Sequence, residues 1–255
     1  MNYTKIWGKN YGNLLEKREK EELPEMESSK SISMIMRKEV LPNDKILDVG
    51  CGVGHYYTSI KKRVKSNFEY VGIDIIENYI DRAKRLFRNE KGVSFRKGDI
   101  FNIPFENKSF DVVMCNNFLH NLPSIEIPIK ELIRVTKRYL VIRTLVGDRS
   151  FRIQEVRNSY WDINSKVSPQ KEFNHNGIPI EFNFFNIYSK KYLEHIVLQN
   201  GRKLSCNFLL DTSFNPKSIM NSAKKEGKLR NATTVIGNQQ VNGYVVMPWT
   251  FIEVR

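Results

Sequence analysis

Three aspartates set along the chain carry the first chemical signal. Asp48 opens the run Asp48-x-Gly50-x-Gly52-x-Gly54 within ILDVGCGVGHYYTSI, Asp74 lies in VGIDII, and Asp99 lies in RKGDI. A turn made of glycines leaves no Cβ between backbone and a bound molecule, so something is meant to come close. A carboxylate roughly twenty residues beyond the third glycine, ending a second strand, can accept hydrogen bonds from both hydroxyls of a ribose. Asp99, ending a third strand, is placed to accept from an adenine amino group.

Two ligand classes compete for such a turn. A nicotinamide or flavin dinucleotide wants G-x-G-x-x-G, with a helix N-terminus facing its pyrophosphate. Here the spacing is G-x-G-x-G and an acidic residue precedes it. A carboxylate there is a poor neighbour for pyrophosphate and a good one for an ammonium group. That charge logic selects S-adenosyl-L-methionine, which joins adenine and ribose to an amino acid through a cationic sulfonium. Blander readings stay open for single residues: Asp48 as a cap for the next turn or helix, Asp99 as a turn residue after Gly98, Cys51 as a small filler.

Positioning these groups requires strands that end beside one another. KILDVG, FEYVGIDI, VSFRKGDI, FDVVMCNN and RYLVIRTLV read as strands, rich in β-branched and aromatic residues. IENYIDRAKRLF aligns Ile76, Tyr79, Ile80, Ala83 and Phe87 on one helical face, and PIKELIRVTKR aligns Ile129, Leu132 and Ile133 behind Pro128 at the first helical position. Strands alternating with helices predict a parallel sheet covered on both faces. YSKKYLEHIVLQNG predicts a helix capped by Ser189, with Gly201 just past its end. KLSCNFLLDTSF and NGYVVMPWTFIEVR predict two last strands. The expected fold is α/β: a doubly wound, mostly parallel seven-stranded sheet closed by an antiparallel hairpin. Its expected parts are an N-terminal helical lid (1–45), a ligand-binding core (46–146), a cap insertion (147–187), and a C-terminal helix with the closing hairpin (188–255).

Taken together, DVGCGVG (48–54), Asp74, GDI (98–100) and FDVVMCNNFLHNLP (110–123) resemble the class I, Rossmann-like S-adenosylmethionine-dependent methyltransferases. The resemblance spans roughly 40–146 and the final hairpin. It implies that the backbone from Gly50 through Cys51 and Gly52 to Gly54 lines the methionine moiety, with Asp48 near its amino group. It also implies that Asp74 holds the ribose hydroxyls with Ile75 beside the adenine, and that Asp99 and Ile100 read the adenine edge. Cys115 and Asn116 would face the sulfonium. The reaction implied is methyl transfer, an EC 2.1.1 type activity that leaves S-adenosyl-L-homocysteine.

The acceptor side is less legible. His120 follows the fourth strand and is a candidate general base with a suitable pKa, against the plainer reading of a hydrogen-bonded loop histidine; His175 is a second candidate. Tyr11 and Arg18 in the lid, and Arg149, Tyr160 and Trp161 in the cap, are candidate acceptor contacts. Aromatic faces with arginines suit a ring-bearing or sugar acceptor with an anionic group, and equally a dimer interface; monomer and homodimer both remain open. No Asp/Asn-Pro-Pro-aromatic stretch follows the fourth strand and no cysteine follows a proline, which disfavours base-amine and base-carbon methylation of nucleic acid. No acidic pair ends that strand, so no metal is expected.

Composition frames these readings. The net charge is +13, with one local concentration in KSIMNSAKKEGKLRN (217–231), so an RNA or ribosome methyltransferase is the alternative acceptor class. A non-catalytic cofactor-binding regulatory module is the other. The three cysteines are scattered, which argues against a disulfide framework or structural zinc, and no run of apolar residues is long enough to span a membrane. A charged N-terminus without an apolar core predicts no secretory signal and a cytoplasmic location.

Overall fold

A computed structural model describes residues 9–20, 22–156, 173–180, 182–201, 204–211, 235–236, 239–240 and 249–255. In chain order the elements are α1 (Lys9–Glu19), α2 (Glu27–Glu39), β1 (Asp44–Val49), α3 (His55–Arg63), β2 (Phe68–Asp74), α4 (Glu77–Leu86), β3 (Val93–Lys97) and β4 (Phe110–Asn116). A 3-10 turn at Leu119–Asn121 leads to α5 (Glu126–Val135) and β5 (Thr136–Gly147). There follow β6 (Gln154–Val156), β7 (Phe182–Phe184), β8 (Tyr188–Ser189), α6 (Lys190–Gln199) and β9 (Cys206–Leu210). The last are β10 (Val235–Ile236), β11 (Gln239–Gln240) and β12 (Trp249–Val254).

The main sheet runs β3-β2-β1-β4-β5-β12-β9, with the short β8 paired in parallel to the end of β5. β1 through β5 pair in parallel, whereas β12 is antiparallel to both β5 and β9. The closing hairpin is therefore folded so that the last strand inserts between β5 and β9. Mixed edges of this kind are common on large doubly wound sheets.

Alternation along each strand divides the core in two. Leu47, Val49, Ile73, Val113 and Cys115 join Ile129 and Leu132 of α5 and Leu193 and Val197 of α6. Ile46, Tyr70, Val112 and Met114 join Ile32 and Met36 of α2, Ile60 of α3 and Ile80 of α4. Successive side chains of a strand point to opposite faces, so a strand buried on both reads as an unbroken apolar run.

α6 begins as expected, with Ser189 Oγ accepting from the Tyr192 N–H at 3.2 Å. α5 differs from expectation. It starts at Glu126, two residues before Pro128, and the Ile129 N–H already closes onto the Ile125 carbonyl at 2.9 Å. The first-turn N–H groups of a helix lack internal acceptors, so proline is tolerated throughout that turn and does not mark its first residue. The described parts of 147–187 lean on the turn after β4: the Asn186 N–H donates to the His120 carbonyl at 2.8 Å, and Asn186 Nδ2 to that of Leu122 at 2.9 Å. Among the described residues no helix is long and apolar enough to cross a membrane.

Candidate functional site

β1 and β4 lie side by side, yet the chain leaves β1 toward β2 and leaves β4 toward β5, in opposite directions across the sheet. A crevice opens at such a reversal, outside the carboxyl ends of the strands. The turn after β1 enters it with Gly50 at φ 78°, where a Cβ would stand 3.1 Å from the Phe118 ring. The Gly50 and Cys51 N–H groups donate to the Ile73 carbonyl at 2.8 and 3.0 Å, which ties the glycine turn to β2. Gly54 serves packing: a Cβ there would lie within 2.9 Å of Phe87 and Phe95.

Asp74 sits where this turn meets β2. Its Oδ2 accepts from the Gly52 N–H at 3.0 Å and its Oδ1 from the Ile76 N–H at 2.9 Å. A carboxylate offers about four lone-pair directions, so capacity remains for a ligand's hydroxyls. Burial pushes the Asp74 pKa up to about 6, against the pull of the Ile76, Gly52 and Ile75 N–H groups. Asp99 ends the neighbouring strand and bends the chain, its Oδ1 accepting from the Phe101 N–H at 3.0 Å.

Two residues of the crevice wall carry buried polar atoms without a partner. Asn116, at the end of β4, is 4% exposed and neither its Oδ1 nor its Nδ2 has a partner. His55, the first residue of α3, has its Nδ1 buried and unpartnered, 3.6 Å from where a Cβ on Gly52 would stand. Burial, with the charge of Arg18 second, pushes the His55 pKa down to about 3, so the ring is neutral. Buried polar groups are nearly always hydrogen-bonded, and two such exceptions on one cavity wall mark places for ligand atoms.

The cavity itself is narrow, about 90 Å³, walled by Gly50, Gly52, Asp74, Ile75, Asn116 and Phe118, with Leu15 of α1 and Met26 also lining it. A smaller cleft of about 10 Å³ shares Gly50, Asp74, Ile75 and Phe118 and adds Gly98, Asp99 and Ile100. The larger hollow, about 420 Å³, lies next door between α1, α2 and α3; it shares only Met26 and His55 with the cavity and touches no strand-end carboxylate. Chemistry, not volume, makes the strand-end crevice the candidate site.

The expected ligand residues divide accordingly. Gly50, Gly52, Asp74, Ile75, Asp99, Ile100 and Asn116 come together on the two adjoining walls. Asp48, Cys51, Gly54 and Cys115 are buried behind them and line neither. Asp48 does not cap α3 either, whose N-cap is Gly54 with no side-chain bond. Its carboxyl is pushed up to about 7, chiefly by burial, against the hydrogen bond from Tyr70 and with the charge of Asp74 adding to the rise. Burial also raises the Cys51 and Cys115 thiols, so neither is a nucleophile.

The acceptor-side candidates are more dispersed. His120 is buried in the 3-10 turn with Phe185 and Trp249 edge-on at 5.2 and 5.4 Å, and Asn121 Nδ2 lies 3.2 Å from its Nε2. Burial, then the charge of Arg143, pushes its pKa down to about 3. Arg18 lines the neighbouring hollow; Arg149 is exposed past the end of β5, and His175 is exposed in a turn. Tyr11 belongs to α1, but its side chain lies outside the described residues, as do Tyr160, Trp161 and the basic segment 217–231. Sequence reasoning missed His55, Tyr56, Tyr79, Asn117 and Phe118 on the wall. The pair after β4 was in plain view in NNFLHN, but nothing in it announced that Asn117 takes a left-handed turn at φ 55° and sends Phe118 back over Gly50.

Residues 40–201 match the family model of a methyltransferase domain, and the chain belongs to that family, with the class I, Rossmann-like S-adenosylmethionine-dependent fold. A 98-residue stretch is 36% identical to a demethylmenaquinone methyltransferase of Staphylococcus saprophyticus, covering 38% of this chain and 42% of that protein. The chain thus spans about two fifths of the length of the curated relative it matches. Among solved structures, the cyclase SpnF superposes with a TM-score of 0.56 at 14% identity, over 89% of this chain and 80% of that one. A S-adenosylmethionine-dependent methyltransferase of Methanosarcina mazei superposes with a TM-score of 0.51 at 18% identity, over 86% and 95%. These likenesses show the fold. The crevice fits the family's methyl donor on its own terms: a side-chain-free turn, one carboxylate at each of two strand ends, and unpaired amide and imidazole atoms for an amino acid's polar groups.

Proposed function

We propose that the chain moves the methyl group of S-adenosyl-L-methionine to an oxygen or nitrogen of a small-molecule acceptor. The observation that carries this reading is the convergence of Asp74, Asp99 and the unpaired Asn116 amide on one glycine-lined crevice. In this assignment Asp74 accepts from the ribose hydroxyls, Asp99 and the Ile100 backbone face the adenine, and Ile75 packs beside it. Asn116 and His55 serve the amino acid end, and Asp48 acts on that end only through the groups in front of it. When bound, the donor supplies a methyl group on a sulfonium that leaves as a neutral thioether.

The protein's share of the chemistry is then alignment and exclusion of water. Leu15 and Met26 supply the apolar cover, in keeping with a lid over 1–45. No proton-transfer duty is assigned to His120, because a base with a pKa near 3 gains little from a proton at neutral pH. A ring-bearing acceptor suits the aromatic edges of Phe185 and Trp249 around the turn after β4. The demethylmenaquinone methyltransferases among the relatives support a small-molecule acceptor without bearing on oxygen or nitrogen as the atom methylated.

Calorimetry with S-adenosyl-L-methionine tests the donor site: wild type should bind, and Asp74→Ala should show no detectable binding. Equal affinity of the two would overturn the ribose assignment. Transfer of a labelled methyl group into a cell extract then tests the activity, and fractionation into small molecules, RNA and protein tests the acceptor class.

A further inference from the structure

Behind the cavity wall runs a chain of buried polar contacts that donor binding alone does not require. Arg143, in the middle of β5 and 2% exposed, donates from Nε to Asp211 Oδ2 at 2.8 Å, and its Nη2 lies 2.7 Å from the same oxygen. Its Nη1 donates to Asn117 Oδ1, and Asn117 Nδ2 donates to Tyr56 Oη at 3.2 Å. The Asn117 N–H donates to the Arg143 carbonyl at 2.9 Å, so main chain and side chain of one residue are held by the other. Ser31 of α2 donates to Asp211 Oδ1 at 3.0 Å. The guanidinium also stacks 4.3 Å from the ring centre of Trp249. The Asp211 N–H donates to the Trp249 carbonyl at 2.9 Å.

A guanidinium has five donors in a rigid plane, and this one reaches partners on two sides, through Nε and Nη2 to Asp211 and through Nη1 to Asn117. One side fixes the turn that follows Asn116, where Asn117 and Tyr56 line the donor cavity. The other holds Asp211, the first residue after β9, whose N–H in turn donates to Trp249, the first of β12. Burying an arginine among aromatic rings is costly unless it is well paired, and a plain apolar residue would pack β5 as well. The investment makes sense when the geometry at its far end matters.

Resting on the donor-site reading above, we propose that Arg143 is a positioning residue for methyl transfer. It sets the left-handed turn at Asn117, so that the Asn116 amide faces the donor, and it registers the roots of β9 and β12 against that turn. It touches neither the donor nor the acceptor.

Arg143→Lys tests this. The ammonium keeps the charge opposite Asp211 but cannot also reach Asn117. Affinity for S-adenosyl-L-homocysteine is measured by calorimetry on the fraction that melts cooperatively, beside wild type, Asn117→Gly and the double variant. Glycine accepts φ 55° without strain, so Asn117→Gly should fold while losing the link. The expected result is a loss of at least about tenfold in affinity for each single variant, the cost of a small misplacement at a site, with the double variant no worse than either. Wild-type affinity in Arg143→Lys, or losses that simply multiply, would overturn the proposal. A lowered melting temperature with unchanged affinity would reduce Arg143 to a stabilising residue and overturn it likewise. Failure of wild type itself to bind would strike the donor-site reading instead.

Discussion

Tyr70 Oη donates to Asp48 Oδ2 at 2.6 Å across the β1–β2 pair, while Asp48 Oδ1 stays buried without a partner. The acid that opens the glycine motif is thus anchored inside the sheet rather than presented at its edge. A charge there is tolerable only with that hydrogen bond. Tyr70→Phe should cost about 1–3 kcal/mol, the penalty for leaving a buried acceptor unsatisfied. Urea unfolding should show a lower midpoint at unchanged slope; an unaltered midpoint would mean that the bond contributes nothing.

The two buried carboxyls predict a pH response with a definite sign. Asp48 and Asp74 titrate near 7 and 6, above the ordinary carboxylate value of 3.8. Between those limits the native protein holds protons that the unfolded chain has released, so stability from these groups is full at low pH and is lost as pH rises. The melting temperature of the free protein should therefore fall between about pH 5 and 7.5, relative to an Asp48→Asn control. A control that melts with the same pH profile would remove Asp48 as the cause.

Donor affinity should run the other way. A carboxylate accepts from ribose hydroxyls, so binding favours the ionised form of Asp74 and should weaken as pH drops below about 6. Calorimetry near pH 6 in buffers of different ionisation enthalpy should register proton release on binding. Asp74→Asn should abolish that release along with most of the affinity.

The fit of α1 over the crevice is tight. A Cβ at Gly12 would stand 2.7 Å from the Tyr79 ring, and Leu15 is 1% exposed against Val53 and Tyr79. Gly12→Val should lift the helix from α4 and expose the 9–19 segment to proteolysis. If this helix shields the donor, S-adenosyl-L-homocysteine should dissociate several-fold faster from the variant. An unchanged off-rate with a loosened helix would assign α1 to packing alone.

Much of this architecture was readable in advance because it rests on local rules. The five parallel strands are apolar runs bounded by turns, and Asp74 and Asp99 fall where strands must end. The crevice followed from those. Other features depended on distant partners and left no local trace. Asp48 looked like a rim residue until Tyr70, on the next strand, took its carboxylate inward. The surroundings of His120 were equally hidden: Phe185 and Trp249, from distant parts of the chain, pack edge-on against its ring, and burial with the charge of Arg143 depresses its pKa. His55 looked incidental because a motif ending in Gly54 gives no hint that the next ring folds back toward Gly52.

The hydrogen bond from the Asp211 N–H to the Trp249 carbonyl also bears on how such a chain changes its clientele. Two strand ends clasped in this way beside Arg143 hold the antiparallel edge of the sheet in register. Under the proposal above, acceptor preferences can change elsewhere in the chain while Arg143 and the donor grip it steadies stay as they are.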